Sequence, residues 1–331
     1  MSISGEMIIL SDWNQDLEAY SIPESLINLI NNESLNDELV SSESDYSNDD
    51  VRFYFGNIPS EDLLKNFKNL EWVHFGSIGI DKLSKNFIKD HSLTITNGSK
   101  TNSSAVVTYC MGEMFRSCKS GFLSRNFHDS IELTRKYYNS FYEYMIDYND
   151  IDLCLLGYGD IGQELVSALS PIVKTIHVVT KTKREDFENV KFYSLDEIKM
   201  AVTNISHMVN VLPLHNETRG IINREVLSEA SNFYYICAGR AETHVHDDIL
   251  KSLKLGDIRG ASLDVHGLPN GKIQESTLSN NKIHLSPHIS GWTKSFWGNQ
   301  GEIILYNIKK ANEDNHKDMK NIIYNRGVKV K

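Results

Sequence analysis

The sequence predicts an α/β protein built on a doubly wound parallel sheet, and three observations carry that expectation. Ile151-Asp152-Leu153-Cys154-Leu155-Leu156 is a short apolar run of the length of a buried parallel strand. It leads at once into Gly157-Tyr158-Gly159-Asp160-Ile161-Gly162, a helical pattern from Gln163 to Leu169 closed by Pro171, and a second strand at Thr175 to Val179. Short strands and helices alternate before and after this unit, with more strands after it than a single half-sheet needs.

The six-residue glycine pattern is weak alone, but inside a strand-turn-helix-strand unit it has a physical reading. Gly157 permits the tight turn, Gly159 lets the backbone approach a pyrophosphate, and Gly162 lets the helix pack close to the strand. The loop then aims free N–H groups at an anion, so Gly157, Tyr158, Gly159, Asp160, Ile161 and Gly162 are expected to bind a dinucleotide. The plainer alternative is a structural turn.

Toward the N-terminus, Met7 to Leu10 reads as a strand and Pro23 to Ile30 as a helix with Leu26, Ile27, Leu29 and Ile30 apolar. Asn31 to Asp50, nearly all Asn, Ser, Asp and Glu, reads as solvated surface. Val51 to Phe55 and Trp72 to Phe75 read as strands around a helix at Leu63 to Leu70. The turn cluster from Asn97 to Ser104 is the best first domain crossing, followed by a helix from Ala105 to Cys118 and a Tyr-rich helical region from Phe127 to Asp147. After the second strand of the glycine unit, strands are expected at Val190 to Tyr193, Met208 to Leu212, Tyr234 to Ala238, Gly260 to Val265 and Ile283 to Leu285. Helices are expected near Leu195 to Val202, Asn223 to Ala230 and Asp247 to Lys254.

With 331 residues the chain can hold two domains, each with a sizeable core. Its 34 basic and 44 acidic side chains give a net charge of −10, which disfavours nucleic acid as a partner. No apolar run reaches the roughly 18 residues of a membrane helix, and no secretory signal is evident, so no membrane partner is expected. Cys110, Cys118, Cys154 and Cys237 show no C-x-x-C spacing and read as reduced core thiols of a cytoplasmic protein. His244 with His246, and His284 with His288, lack a third ligand at a recognisable spacing, so no metal is expected.

Three polar stretches follow the later strands, at the ends where open parallel sheets bind ligands. They are Ala238-Gly239-Arg240-Ala241, Leu263-Asp264-Val265-His266 and Ser286-Pro287-His288-Ile289-Ser290-Gly291-Trp292-Thr293. With these, with Leu212-Pro213-Leu214-His215-Asn216-Glu217-Thr218-Arg219-Gly220-Ile221-Ile222-Asn223, and with the closing Lys320-Asn321-Ile322-Ile323, the sequence resembles the D-isomer-specific 2-hydroxyacid dehydrogenases over most of its length. It looks most like their glyoxylate/hydroxypyruvate reductases and phosphoglycerate dehydrogenases.

That resemblance implies a Rossmann cofactor domain at 98–292, inserted into a smaller flavodoxin-like α/β substrate domain made of 1–97 and 293–331, with the active site in the cleft. It implies Arg240 as the guanidinium that binds the carboxylate of a 2-oxo acid and polarises its ketone. His288 would be the acid/base. Ile78 and Gly79, in Ser77-Ile78-Gly79, would hold the substrate carboxylate through backbone N–H groups, and Leu212, Pro213, Ala238 and Asp264 would line the cofactor. A small 2-oxo or 2-hydroxy acid is the expected substrate, and a homodimer through the cofactor domain the expected assembly.

One departure stands out. Where the family carries a Glu or Gln that hydrogen-bonds the histidine, this chain has Pro269, which cannot orient an imidazole. Asn270 after a one-residue shift, Glu275 from the loop, or no partner at all are the open alternatives. Cys237, Ala241 and His246 depart from the family's Asn, Gly and Asp. An NAD(P)-binding sensor with weak or no dehydrogenase activity is therefore kept as a second function. Trp292, Phe296 and Trp297 read equally as pocket lining or as core.

At the end of the second Rossmann strand, where NAD enzymes carry an acid for the ribose hydroxyls, the chain reads Val179-Thr180-Lys181-Thr182-Lys183-Arg184. Thr180, Lys181, Lys183 and Arg184 are expected to welcome a 2'-phosphate, so NADP is preferred and NAD is the alternative.

Overall fold

The computed structural model describes residues 7–12, 21–34, 37–41, 46–56, 59–77, 79–80, 83–119, 142, 145–266, 273 and 275–330. In chain order the first elements are β1 (Met7–Ser11), α1 (Glu24–Glu33), β2 (Asp37–Ser41), β3 (Val51–Gly56), α2 (Glu61–Leu64), β4 (Trp72–Phe75), α3 (Lys85–Asp90), β5 (Thr94–Asn97) and α4 (Ser103–Cys118). Next come β6 (Asp152–Leu156), α5 (Asp160–Leu169), β7 (Thr175–Val179), β8 (Val190–Tyr193), α6 (Ile198–Ala201), β9 (His207–Asn210), α7 (Arg224–Leu227) and β10 (Phe233–Cys237). The last are α8 (His246–Leu255), β11 (Ile258–Leu263), α9 (Glu275–Leu278), β12 (Ile283–Leu285), α10 (Phe296–Asn312), β13 (Ile322–Asn325) and β14 (Val328–Lys329). Residues 1–102 with 293–331 form one unit, and 103–292 form the second.

The first unit holds a sheet in the order β14-β13-β5-β4-β3-β1-β2. Its strands pair in parallel except β13, which runs antiparallel to β5 and β14. Side chains alternate across a strand, and the core divides accordingly. Phe53 and Phe55 meet Trp72 edge-on at 5.2 and 4.9 Å and pack with Ile304 and Ile308 of α10. Tyr54, Val73 and Phe75 face the opposite side with Phe67 and Phe87.

Two expectations are corrected here. Asn31 to Asp50 is not all solvated surface, because β2 lies within it as an edge strand paired in parallel with β1. Leu39 reaches the core, and its N–H is taken by the Asn31 side chain at 2.9 Å, so an edge strand forms with little apolar content. The helix expected from Leu63 to Leu70 stops at Leu64: Asn66, Phe67 and Leu70 donate three residues back, so successive turns bury Phe67 and Leu70. The helical region expected at Phe127 to Asp147 falls almost wholly outside the described residues.

The second unit is a seven-stranded, all-parallel sheet in the order β12-β11-β10-β9-β6-β7-β8. Strand order reverses between β6 and β9, which makes the crevice beyond their C-terminal ends the place where such sheets take ligands. The glycine turn leaves β6 at that point. Apolar residues cover both faces of the sheet, as an all-parallel sheet requires. Cys110, Cys118, Cys154 and Cys237 are free and buried. Among the described residues there is no group of three metal-ligating side chains, and no helix is long and apolar enough to cross a membrane.

Candidate active site

The glycine turn has the geometry its sequence calls for. Gly157 sits at φ +109, a left-handed conformation that side chains disfavour, and its N–H is bonded to the Val179 carbonyl at 2.9 Å. A Cβ on Gly162 would collide with the Gly157 carbonyl, so the close packing of α5 on the turn demands glycine. Gly159 is the N-cap of α5 and supplies no side-chain cap, and the space beside its Cα is open. The first N–H groups of α5 are thus available to an anion. These residues fit a dinucleotide pyrophosphate.

The basic run after β7 is engaged within the protein. Lys181 pairs with Glu217 at 2.9 Å, and Lys183 reaches both carboxylate oxygens of Glu197 at 2.9 Å. Arg184 lies over the Tyr158 ring, 5.0 Å from its centroid. Thr180 closes the end of β7 through its N–H on the Tyr193 carbonyl.

Across the switch point, the Leu212 N–H donates to the Asn210 side chain at 3.1 Å, and Asn210 in turn donates to Tyr235 and Thr243. The Thr218 hydroxyl donates to the Pro213 carbonyl at 2.7 Å and accepts from the His215 N–H at 2.8 Å. Ala238 follows β10 with its N–H on the Asn210 carbonyl. Leu212, Pro213 and Ala238 are therefore braced at the strand ends beside the glycine turn.

Arg240, Asp264 and His288 follow three adjacent strands, β10, β11 and β12. The Arg240 guanidinium donates to the Gly239 carbonyl at 3.1 Å, and its own carbonyl accepts from Thr243. Asp264 is fully buried. One of its carboxylate oxygens accepts from the Ser286 hydroxyl at 2.6 Å and the Ile289 N–H at 2.8 Å, and the other from the Ser290 N–H at 2.9 Å. The residue expected to line the cofactor thus grips the loop that carries His288. His288 itself sits at φ +57. Protein packed around its ring lowers its pKa below the ordinary imidazole value, with the Asp264 carboxylate opposing the shift and the Arg240 guanidinium adding to it.

Ser77 and Gly79 lie in the first unit beyond β4. The Ser77 hydroxyl donates to the Gly79 carbonyl at 3.0 Å, and Gln300 donates to the Gly76 carbonyl at 2.8 Å. Ile78, Pro269 and Asn270 lie outside the described residues. Glu275 is an exposed residue at the start of α9. Among the described residues, the carboxylate whose field reaches the His288 ring is Asp264.

Other histidines have separate duties. His284 turns to Glu113 at 3.0 Å, where Arg116 and Ser262 also donate. His246 meets the Thr277 hydroxyl at 2.8 Å. Trp297 packs against the core of the first unit. Sequence reasoning missed Tyr109, whose hydroxyl lies 2.9 Å from that of Ser286. An isolated Tyr on a helix gives no signal. Ser286 stood inside the Ser-Pro-His stretch and could have been found as a partner for a buried acid.

Comparison with known proteins accords with this geometry. The family profile of the D-isomer specific 2-hydroxyacid dehydrogenase NAD binding domain matches residues 122–290, about half of the chain. Glyoxylate/hydroxypyruvate reductase A of Enterobacter sp. (strain 638) is 26% identical over 173 residues, 51% of this chain and 54% of that relative. The chain thus matches about half the length of that relative. The NADPH-dependent glyoxylate/hydroxypyruvate reductase of Sinorhizobium meliloti, solved with NADP and malonate, is 16% identical, covers 99% of both chains and superposes with a TM-score of 0.75. D-lactate dehydrogenase from Aquifex aeolicus, solved with NAD and lactic acid, is 16% identical over 96% of this chain and 98% of its own, with a TM-score of 0.76. At these identities the solved structures show a shared fold.

This chain belongs to the D-isomer-specific 2-hydroxyacid dehydrogenase family. Its seven-stranded parallel sheet is the NAD(P)-binding Rossmann sheet of that family, inserted within a mixed substrate-domain sheet.

Proposed function

We propose that the protein reduces a small 2-oxo acid to the D-2-hydroxy acid, or runs the reverse oxidation, with NAD(P). The observation that carries this reading is the run Arg240, Asp264, His288 at the ends of three adjacent strands, beside a glycine turn open to an anion. When bound, the nicotinamide supplies or accepts a hydride. Arg240 pairs with the substrate carboxylate and polarises the ketone, whose oxygen gains negative charge as reduction proceeds. His288 donates a proton to that oxygen in reduction and removes it in oxidation. Asp264 keeps the His288 loop in place from behind. Ser77, Ile78 and Gly79 are proposed to offer backbone N–H groups to the carboxylate, by their match to the family loop.

NADP is the proposed preference, since no acid closes β7 and the Lys181 and Lys183 ion pairs are solvent-accessible and weakly held. A homodimer through the cofactor domain is proposed from the family match, and sedimentation at low concentration tests it.

The decisive assay follows NADPH oxidation with glyoxylate, hydroxypyruvate, pyruvate and bulkier 2-oxo acids, for the wild type and His288→Ala. Loss of about 10²- to 10⁴-fold in the variant supports acid/base catalysis. An unchanged rate removes that role. Pro269, standing where the family has its histidine partner, favours a second reading as a cofactor-dependent sensor. Tight NADPH binding without turnover on any of these acids would select it.

A further inference from the structure

Resting on the acid/base reading of His288, we propose that Tyr109 and Ser286 are positioning residues for His288. They act through Asp264 as a relay, half-buried at Tyr109, that stands in for the carboxylate lost to Pro269.

The direction of the relay follows from its hydrogen count. A serine hydroxyl has one proton. Ser286 gives it to Asp264 at 2.6 Å, so at the 2.9 Å contact with Tyr109 the phenol is the donor and Ser286 the acceptor. The line therefore runs from Tyr109 on α4 to Ser286 and then to Asp264. Asp264 passes the constraint on by accepting from the N–H groups of Ile289 and Ser290, the two residues directly after His288.

The backbone before His288 is held as well. The Ser286 carbonyl accepts from the His288 N–H at 3.0 Å and meets the His266 Nε2 at 2.8 Å. This matters because His288 is left-handed at φ +57, a conformation that costs a non-glycine residue about 1–2 kcal/mol and persists where its surroundings over-determine it. Removing the Tyr109 hydroxyl leaves Ser286 free to turn and the carboxylate with a less fixed partner. Among the described residues, the charged and titratable groups that act on the His288 ring are Asp264, Arg240 and His266. A loosened Asp264 weakens the one among them that favours the imidazolium.

The test uses the full chain with Tyr109→Phe, Ser286→Ala and the conservative Ser286→Thr. Expected for the first two is a fall in kcat of about tenfold with NADPH affinity unchanged, and a shift of the reductase pH profile to lower pH. Ser286→Thr, which keeps the hydroxyl, restores both. NMR titration of the His288 ring in the labelled protein should show its pKa falling by roughly half a unit or more in Tyr109→Phe. That readout needs no turnover, so a wild type without activity would defeat the enzyme reading while leaving the relay measurable. A His288 titration identical in wild type, Tyr109→Phe and Ser286→Ala overturns the relay. So does a loss of kcat matched by an equal loss of NADPH affinity.

Discussion

The Nε2 of His74 lies 2.9 Å from the Gln300 side-chain oxygen, and the Nδ1 lies 2.8 Å from the Thr96 hydroxyl. Thr96 accepts from the Trp72 indole and Gln300 donates to the Gly76 carbonyl, so a consistent network has Thr96 donating to Nδ1 and Nε2 donating to Gln300. This fixes a neutral imidazole beneath the loop that begins at Gly76. Burial lowers its pKa to about 4, with the Gln300 hydrogen bond opposing.

A histidine whose folded pKa is depressed costs stability when it must charge. The unfolded chain takes up the proton near pH 6.5 and the folded chain only near 4, so stability is full above 6.5 and is lost as pH falls through that window. The loss amounts to roughly 3 kcal/mol at most. Denaturant unfolding of wild type and His74→Gln between pH 7.5 and 4 should show a shallower decline for the variant. Parallel curves would exclude His74 as a contributor.

Gly162→Ala and Gly159→Ala should fail in different ways. The first forces a Cβ against the Gly157 carbonyl and should lower stability by about 1–3 kcal/mol. The second adds a methyl into open space, so the midpoint of unfolding should hold while NADPH affinity falls, because the new atom stands where the proposed pyrophosphate would approach. Thermal melts and a fluorescence titration separate the two.

Arg240→Lys keeps the charge but loses the planar fork. With a 2-oxo acid and NADPH, kcat/KM should drop about 10²-fold or more, while cofactor affinity changes little. An unaltered kcat/KM would remove Arg240 from the substrate site.

The His288 pKa lies below the ordinary imidazole value, so at neutral pH the ring is mostly unprotonated. With His288 as the proposed acid/base, reduction should therefore slow as pH rises from 5 to 8, and oxidation should quicken over the same range. Initial rates in both directions across this range check the opposite slopes.

Under the proposed NADP preference, Glu217 would compete with the 2'-phosphate for Lys181, with both side chains exposed, at 54% and 71%. Glu217→Gln should raise NADPH affinity relative to NADH by about two- to fivefold, the range of an exposed ion pair. Equal dissociation constants for the two cofactors in wild type and variant would detach Lys181 from their discrimination.

The cofactor sheet was legible because its signals are local. Gly157 to Gly162 between two apolar runs announces strand, turn and helix, and β7, β8 and β12 fall at the expected residues. β2 escaped because it brings only Leu39 to one core and Val40 to the other, too short an apolar run to announce a strand. Within the site, residue types at strand ends drew attention to Arg240 and His288. What Asp264 touches was hidden, since a carboxylate beside a cofactor and one clamping a loop look alike in sequence. The partners of Lys181 and Lys183 were hidden for a related reason. Glu217 and Glu197 lie far along the chain, and only the folded sheet brings them to the basic run.

The antiparallel seam between β5 and β13 joins Thr94–Asn97 to Ile322–Asn325, with the whole parallel sheet encoded in the interval. On the ribosome, the seven strands of the inserted sheet are complete once residue 285 has emerged, whereas the outer sheet waits for residues 322–329. The inserted sheet can therefore take shape before β5 meets β13, and the edge of β5 stays open until that late strand is made.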